Sequence, residues 1–214
     1  MINTIVWDWN GTLLDDAACC VDVENSLLAE RGITPLLTLD TYREIFGFPI
    51  RDYYAKAGLS FETESYESLA NIYMNRYMIS SRSCKLFADA EDTLKRFKEA
   101  GYRQIILSAS ETKNLAEQVG MFDIGQYLND IAGVDDIYAH GKIDIAKRYF
   151  ERNNINPARV LLIGDTTHDS EVAEALSCDC WLITNGHHNQ EKLARCGRPL
   201  FGSLSEAANR MLIR

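Results

Sequence analysis

The 214 residues, 46% hydrophobic and 25% charged, fall in the ordinary globular range and suffice for a full α/β domain with a smaller insertion, with no need of disulfide or metal staples. Acidic residues outnumber basic ones by 31 to 22, and the formal charge of -9 excludes a general attraction to nucleic acid or to an anionic membrane. No stretch is organised as a signal peptide or is long enough to span a membrane, and the scattered Cys19, Cys20, Cys84, Cys178, Cys180 and Cys196 read as reduced thiols, so the expectation is a cytoplasmic monomer or homodimer.

In chain order, Asn3 to Trp7 is a short apolar, β-rich run that ends on Asp8, and Asn10-Gly11 follows as a turn signal. This predicts a strand delivering an acid at its carboxyl end. Residues 17–82 carry no comparable strand signal. Cys20, Val23, Leu27 and Leu28 form one helical stripe and Leu69, Ile72, Tyr73 and Arg76 another, with Gly32, Pro35, Gly47, Pro49 and Gly58 between them. A structureless loop of that length is uncommon, so 17–82 is predicted to be a helical cap domain inserted into a core domain of 1–16 and 83–214.

Three further strands are predicted: Tyr102 to Leu107 closing on Ser108, Arg159 to Ile163 closing on Gly164-Asp165, and Cys180 to Ile183 closing on Thr184-Asn185-Gly186. Helical patterns precede them. Ala90 to Ala100 places Leu94, Phe97 and Ala100 on one side and stops at Gly101; Ile143 to Asn153 does the same with Ile145, Ala146, Tyr149 and Phe150. The alternation predicts an α/β fold with a Rossmann-like parallel sheet, helices on both faces, and a ligand crevice beyond the carboxyl ends of the strands.

Three carboxylates, Asp8, Asp165 and Asp169, stand at or just past two of these strand ends. Hard oxygen ligands gathered in this way suit Mg²⁺. Any one of them alone reads as a helix cap. Cys178-x-Cys180 is too tight for a standard zinc site and has no matching second pair.

The segments Asp8-Trp9-Asn10-Gly11-Thr12-Leu13 and Gly164-Asp165-Thr166-Thr167-His168-Asp169, with Ser108 closing Ile105-Ile106-Leu107 and Lys142 opening a helix between the second and third core strands, resemble the haloacid dehalogenase superfamily. The resemblance is to its phosphatases with a helical cap, the phosphoglycolate phosphatase-like group, and covers essentially the whole chain. It implies hydrolysis of a small phosphorylated metabolite through an aspartyl-phosphate on Asp8. It also implies Mg²⁺ held by Asp8, the main-chain carbonyl of Asn10, Asp165 and Asp169. Thr12, Ser108, Ala109 and Lys142 would bind the phosphoryl group.

Asn10 departs from the pattern, because phosphatases of this family carry there an Asp that protonates the leaving oxygen and then activates water. An amide cannot exchange a proton in that role, and losing acid/base catalysis costs about a hundredfold to ten-thousandfold. Good leaving groups should suffer least. The alternatives are a slow phosphatase, a phosphonate or acyl-phosphate hydrolase, and a non-catalytic phosphate-binding protein. A phosphonate hydrolase needs a cap lysine, for which Lys56 is the candidate well inside the cap. The segment Phe46 to Arg51 is predicted to meet the substrate through Arg51, with Arg43 as a substitute. His140 and the pair His187-His188 read as ordinary loop residues, and Trp7 and Trp9 as packing against core and cap.

Overall fold

In the computed structural model, residues 1–134 and 141–212 are described; His140 lies outside them. The chain enters as strand β1 (Thr4–Trp7), makes the short β2 (Leu14–Asp15), and runs through helices α1 (Ala17–Glu30), α2 (Leu39–Ile45), α3 (Ile50–Lys56) and α4 (Tyr66–Ser80). It returns through β3 (Lys85–Leu86) to α5 (Ala90–Glu99), β4 (Arg103–Glu111), α6 (Thr112–Val119), β5 (Asp130–Val134), α7 (Lys142–Arg152) and β6 (Val160–Gly164). The remainder is α8 (Thr167–Leu176), β7 (Asp179–Ile183), α9 (Gln190–Ala194), β8 (Leu200–Phe201) and α10 (Leu204–Leu212).

Among the described residues the main sheet has six strands in the order β5-β4-β1-β6-β7-β8, each neighbouring pair parallel. Side chains alternate across it, as pleating requires. Ile5, Trp7, Leu161 and Ile163 join one buried layer with Leu94 and Phe97 of α5 and Leu204 of α10. Val6, Ile105, Val160 and Leu162 join the opposite layer with Ile145 and Phe150 of α7 and Val172 of α8. Both faces are therefore covered, which explains why β1 and β6 are buried along their whole lengths. Trp9 lies with Trp7 in the first layer, and each indole N–H is satisfied by a glutamine: Trp7 by Gln104 at 3.0 Å and Trp9 by Gln118 at 3.0 Å.

Register fixes the site. Trp7 pairs with Ile106 on one side and Ile163 on the other, so Asp8, Ser108 and Asp165 emerge along one edge. The sequence reading missed β5, so the helix that Lys142 opens follows the third core strand in chain order, not the second. Within β5 a Cβ at Gly133 would lie 2.5 Å from the Ser110 carbonyl oxygen, so close approach of β5 to β4 demands glycine. β4 also continues past Leu107 to Glu111, through polar residues that had looked like its end.

Helices α1 to α4 enclose an apolar cluster of their own, built on Val21, Leu28, Tyr42, Tyr54, Leu69 and Tyr77. The antiparallel pairing of Leu14 with Leu86 and Asp15 with Lys85 joins the two points where the chain leaves and re-enters the sheet domain.

Candidate active site

Asp8 follows β1 directly, and Lys142 is the first residue of α7. The Lys142 ammonium donates to Asp8 Oδ1 at 2.6 Å and to Asp169 Oδ1 at 2.7 Å, all three side chains being buried. Asp169 sits in the first turn of α8, where its Oδ2 accepts from the Thr166 hydroxyl at 2.7 Å and from the backbone N–H of Thr166 and Asp165. It thus closes a capping box and aims Lys142. Asp165 accepts from the Thr12 hydroxyl at 2.6 Å and from the His187 backbone N–H at 2.7 Å. Gly11 is needed beside it: its φ is +71°, and a Cβ would fall 2.3 Å from Asp165 Oδ2.

Asp8, Asp165 and Asp169 each bring one carboxylate oxygen to within 4.8 Å of the others, against one ammonium. Burial pushes Asp8 up to about 7 despite Lys142, with Asp169 and Asp165 adding to the rise. Burial likewise lifts Asp165 to about 6 against the opposing pull of His187. Burial works to depress Lys142, but Asp169 and Asp8 outweigh it and hold the ammonium charged. A buried oxygen-rich cluster with excess negative charge fits a hard divalent cation. Asp169 fits least as a direct ligand, because four protein donors, the Lys142 ammonium among them, hold its oxygens, against two neutral donors on Asp165.

Asn10 is held on three sides. Its amide donates to Asp16 Oδ2 at 2.7 Å and to the Tyr77 hydroxyl at 2.6 Å, and its carbonyl oxygen accepts from Ser110 at 2.9 Å. Asp16 in turn accepts from the Gly11 backbone N–H at 2.9 Å and the Tyr77 hydroxyl at 2.7 Å, and faces His187 Nε2 at 3.2 Å. The sequence reading missed Asp16, although a second acid six residues after Asn10 was the available signal. It also misjudged His187-His188. His187 is buried between Asp16 and the Tyr42 hydroxyl, 2.8 Å from Nδ1, and Asp16 raises its ring to about 9 against the effect of burial. His188 points the other way, accepting from the Thr167 backbone N–H at 3.0 Å, and burial depresses it to about 3.

Asp8, Asn10, Ser108, Ala109 and Lys142 line one cavity of about 180 Å³ that extends between the sheet edge and α2 to α4. Thr12 is fully buried and gives its hydroxyl to Asp165. Arg51 is exposed, with its guanidinium 5.1 Å from the centre of the Phe61 ring, and does not line the cavity. Its neighbours Phe46, Phe48 and Ile50 do, so the predicted segment meets the cavity through apolar side chains. Arg43 donates to the carbonyl oxygens of Gly186 and Asn185, each at 2.8 Å, tying α2 to the loop after β7. Lys56 is exposed and outside the cavity lining.

The family model described as haloacid dehalogenase-like hydrolase matches residues 5–183. The chain is 23% identical to a phosphoglycolate phosphatase of Vibrio vulnificus, covering 90% of this chain and 88% of that one. It is 25% identical to phosphoglycolate phosphatase 1 of Pseudomonas aeruginosa, covering 89% and 72%. A haloacid dehalogenase-like hydrolase of Streptococcus pneumoniae superposes with a TM-score of 0.84 at 22% identity over 98% of both chains, which confirms the fold. No helix among the described residues is long and apolar enough to cross a membrane. With the motif residues assembled at one strand edge and the family model spanning most of the chain, the protein belongs to the haloacid dehalogenase-like hydrolases.

Proposed function

We propose that the protein is a cytoplasmic, Mg²⁺-dependent phosphatase that hydrolyses the phosphate monoester of a small metabolite through an aspartyl-phosphate on Asp8. Phosphoglycolate is the first substrate to try, from the names of the relatives. The observation that carries the reading is the Asp8–Lys142–Asp169 arrangement beside Asp165, with Asp8 and Lys142 facing the cavity. Lys142 fixes Asp8 through Oδ1; among the described residues Oδ2 has no hydrogen-bond partner and is the oxygen assigned to attack.

In the first step Asp8 Oδ2 forms a bond to phosphorus as the ester P–O bond breaks, and the leaving oxygen departs with the bonding pair. In the second, water attacks the phosphorylated Asp8, releasing inorganic phosphate and restoring the carboxylate. Ser108 donates to the phosphoryl oxygens, with the Ala109 backbone beside it, and Lys142 balances their charge. The Asn10 amide, held by Asp16 and Tyr77, has no proton to give the leaving oxygen. Thr12 acts on Asp165 and not on the substrate. Mg²⁺ would be held by Asp8, Asp165 and the Asn10 main-chain carbonyl, and supplies the positive charge that lets one anion attack another. Helices α1 to α4, within the cap of 17–82, exclude water from the cavity. No cap lysine lines it, so the phosphonate alternative has no imine-forming partner.

Turnover of acetyl phosphate, phosphoglycolate and phenyl phosphate, with Mg²⁺ and with chelator, tests this reading against Asp8→Asn. Phosphate should be found on the peptide carrying Asp8 after rapid quenching. Turnover that survives in Asp8→Asn overturns the assignment.

A further inference from the structure

We propose that the ester hydrolysed here is an aryl phosphate, a neutral single-ring leaving group in place of the carboxylate of phosphoglycolate; this rests on the phosphatase reading above. The cavity that holds Asp8, Ser108 and Lys142 continues toward the helices and is walled there by Phe46, Phe48, Tyr54, Tyr66, Tyr73 and Met74. Its volume of about 180 Å³ compares with the roughly 150 Å³ of a dry apolar cavity that takes up benzene. That is room for one ring beside the phosphoryl group. The wall offers ring faces and edges: Phe46 meets Phe48 edge-on at 5.8 Å, and Phe48 lies 4.7 Å from the ring of His168.

Charge argues against a carboxylate at this end. Lys142 is the one lysine or arginine among the described residues that line the cavity, and it is shared between Asp8 and Asp169. His187 is committed to Asp16 and Tyr42, and His168 turns Nδ1 to Glu171 at 3.0 Å. Arg43 is held by the Gly186 and Asn185 carbonyls, the Lys192 ammonium by the Phe46 carbonyl, and Arg51 stands outside over Phe61. The other acidic lining groups are Asp16 and Glu111. A substrate carboxylate would lose its water among aromatic faces and gain no counter-charge.

Asn10 points the same way by an independent route. With no acid to protonate the leaving oxygen, the ester must expel a weakly basic one. A phenolic oxygen has a pKa of about 10, against about 15.7 for water, which an alkoxide resembles. An aryl ester therefore meets both the shape of the cavity and the chemistry at Asn10.

The test compares kcat/KM for phenyl phosphate, benzyl phosphate and phosphoglycolate with Mg²⁺, and inhibition by phenylphosphonate and phosphonoacetate, which have no ester to cleave. Phenyl phosphate should exceed phosphoglycolate by about tenfold or more, with benzyl phosphate showing a similar KM and a lower kcat. Phenylphosphonate should inhibit about tenfold more tightly than phosphonoacetate. Met74→Lys, on a half-buried wall residue, should narrow both ratios by supplying the missing cation. Asp8-dependent turnover that favours phosphoglycolate, or tighter inhibition by phosphonoacetate, overturns this inference and leaves the phosphatase reading standing. Absence of Asp8-dependent turnover of any ester overturns both.

Discussion

The side-chain amide of Asn10 donates to Asp16 at 2.7 Å, so the residue that replaces the family's acid is hydrogen-bonded to a buried carboxylate. An aspartate at position 10 would turn this hydrogen bond into a contact between two carboxylates. One of the pair would have to take up a proton at neutral pH or separate from the other. An acid at position 10 would in principle supply the missing proton, but the contact with Asp16 works against it. Asn10→Asp should lower Tm by several degrees with no gain in kcat, and Asn10→Asp combined with Asp16→Asn should recover the Tm. A coupling of about 1 kcal/mol or more in thermal unfolding of the double-mutant cycle is expected. Additive losses would show that the two side chains act separately.

Lys142 is the sole counter-charge hydrogen-bonded to both Asp8 and Asp169 among the described residues. Lys142→Met leaves those buried carboxylates without it, a change of the kind that costs about 3–5 kcal/mol. Turnover should fall by about a hundredfold or more with it. Chemical denaturation and steady-state kinetics on the same preparation check both. A variant of near-normal stability would mean that the carboxylates find another partner.

Mg²⁺ should stabilise the wild type by about 2.7 kcal/mol at a hundred times its dissociation constant. Asp165→Asn should remove most of that gain, since the variant keeps the packing against Gly11 but loses a charged ligand. Melting curves with and without chelator read the effect directly, apart from any catalysis.

Glu24 on α1 is fully buried, and among the described residues neither carboxylate oxygen has a hydrogen-bond partner. Burial pushes its pKa up to about 8, with Arg31 pulling weakly the other way. The folded protein therefore keeps a proton that the unfolded chain releases near its ordinary value of 4.5. Stability from this group is complete below the lower value and is lost as pH rises toward the upper one, by an amount on the order of 4 kcal/mol. Glu24→Gln should flatten that decline and melt higher than the wild type at pH 8. Parallel Tm profiles for the two proteins would refute it.

Arg43→Ala removes two hydrogen bonds from α2 to the loop that carries His187. The pair is only half-buried, so a loss of about 1–2 kcal/mol is expected. Faster amide exchange at 185–188 and a KM raised several-fold should accompany it.

The residues legible in the sequence were those whose signal is local. Asp8, Ser108 and Asp165 were readable because each closes an apolar strand, and strand ends of a parallel sheet meet at one edge. Lys142 and Asp169 were readable from helix starts. Asp16 and His187 were not, because their pairing joins a helix start to a loop more than 150 residues later through packing that no local pattern records. Arg51 was misplaced because, although Phe46, Phe48 and Ile50 of the same segment line the cavity, the direction of each side chain along it depends on how α3 packs.

The two-residue ladder of Leu14–Asp15 with Lys85–Leu86 brings together the ends of an excursion of roughly 70 residues. Closing such a loop costs an entropy that grows only with the logarithm of its length. Once those four residues are paired, the strand register no longer depends on the length of what lies between them, and the insert meets the site through a few contacts, those of Tyr42, Arg43 and Tyr77 among them. On the proposed function, a shorter or differently shaped insert between the same two strands would leave Asp8, Ser108 and Asp165 on one edge, so that substrate choice would be the exchangeable part of this molecule and its chemistry the fixed one.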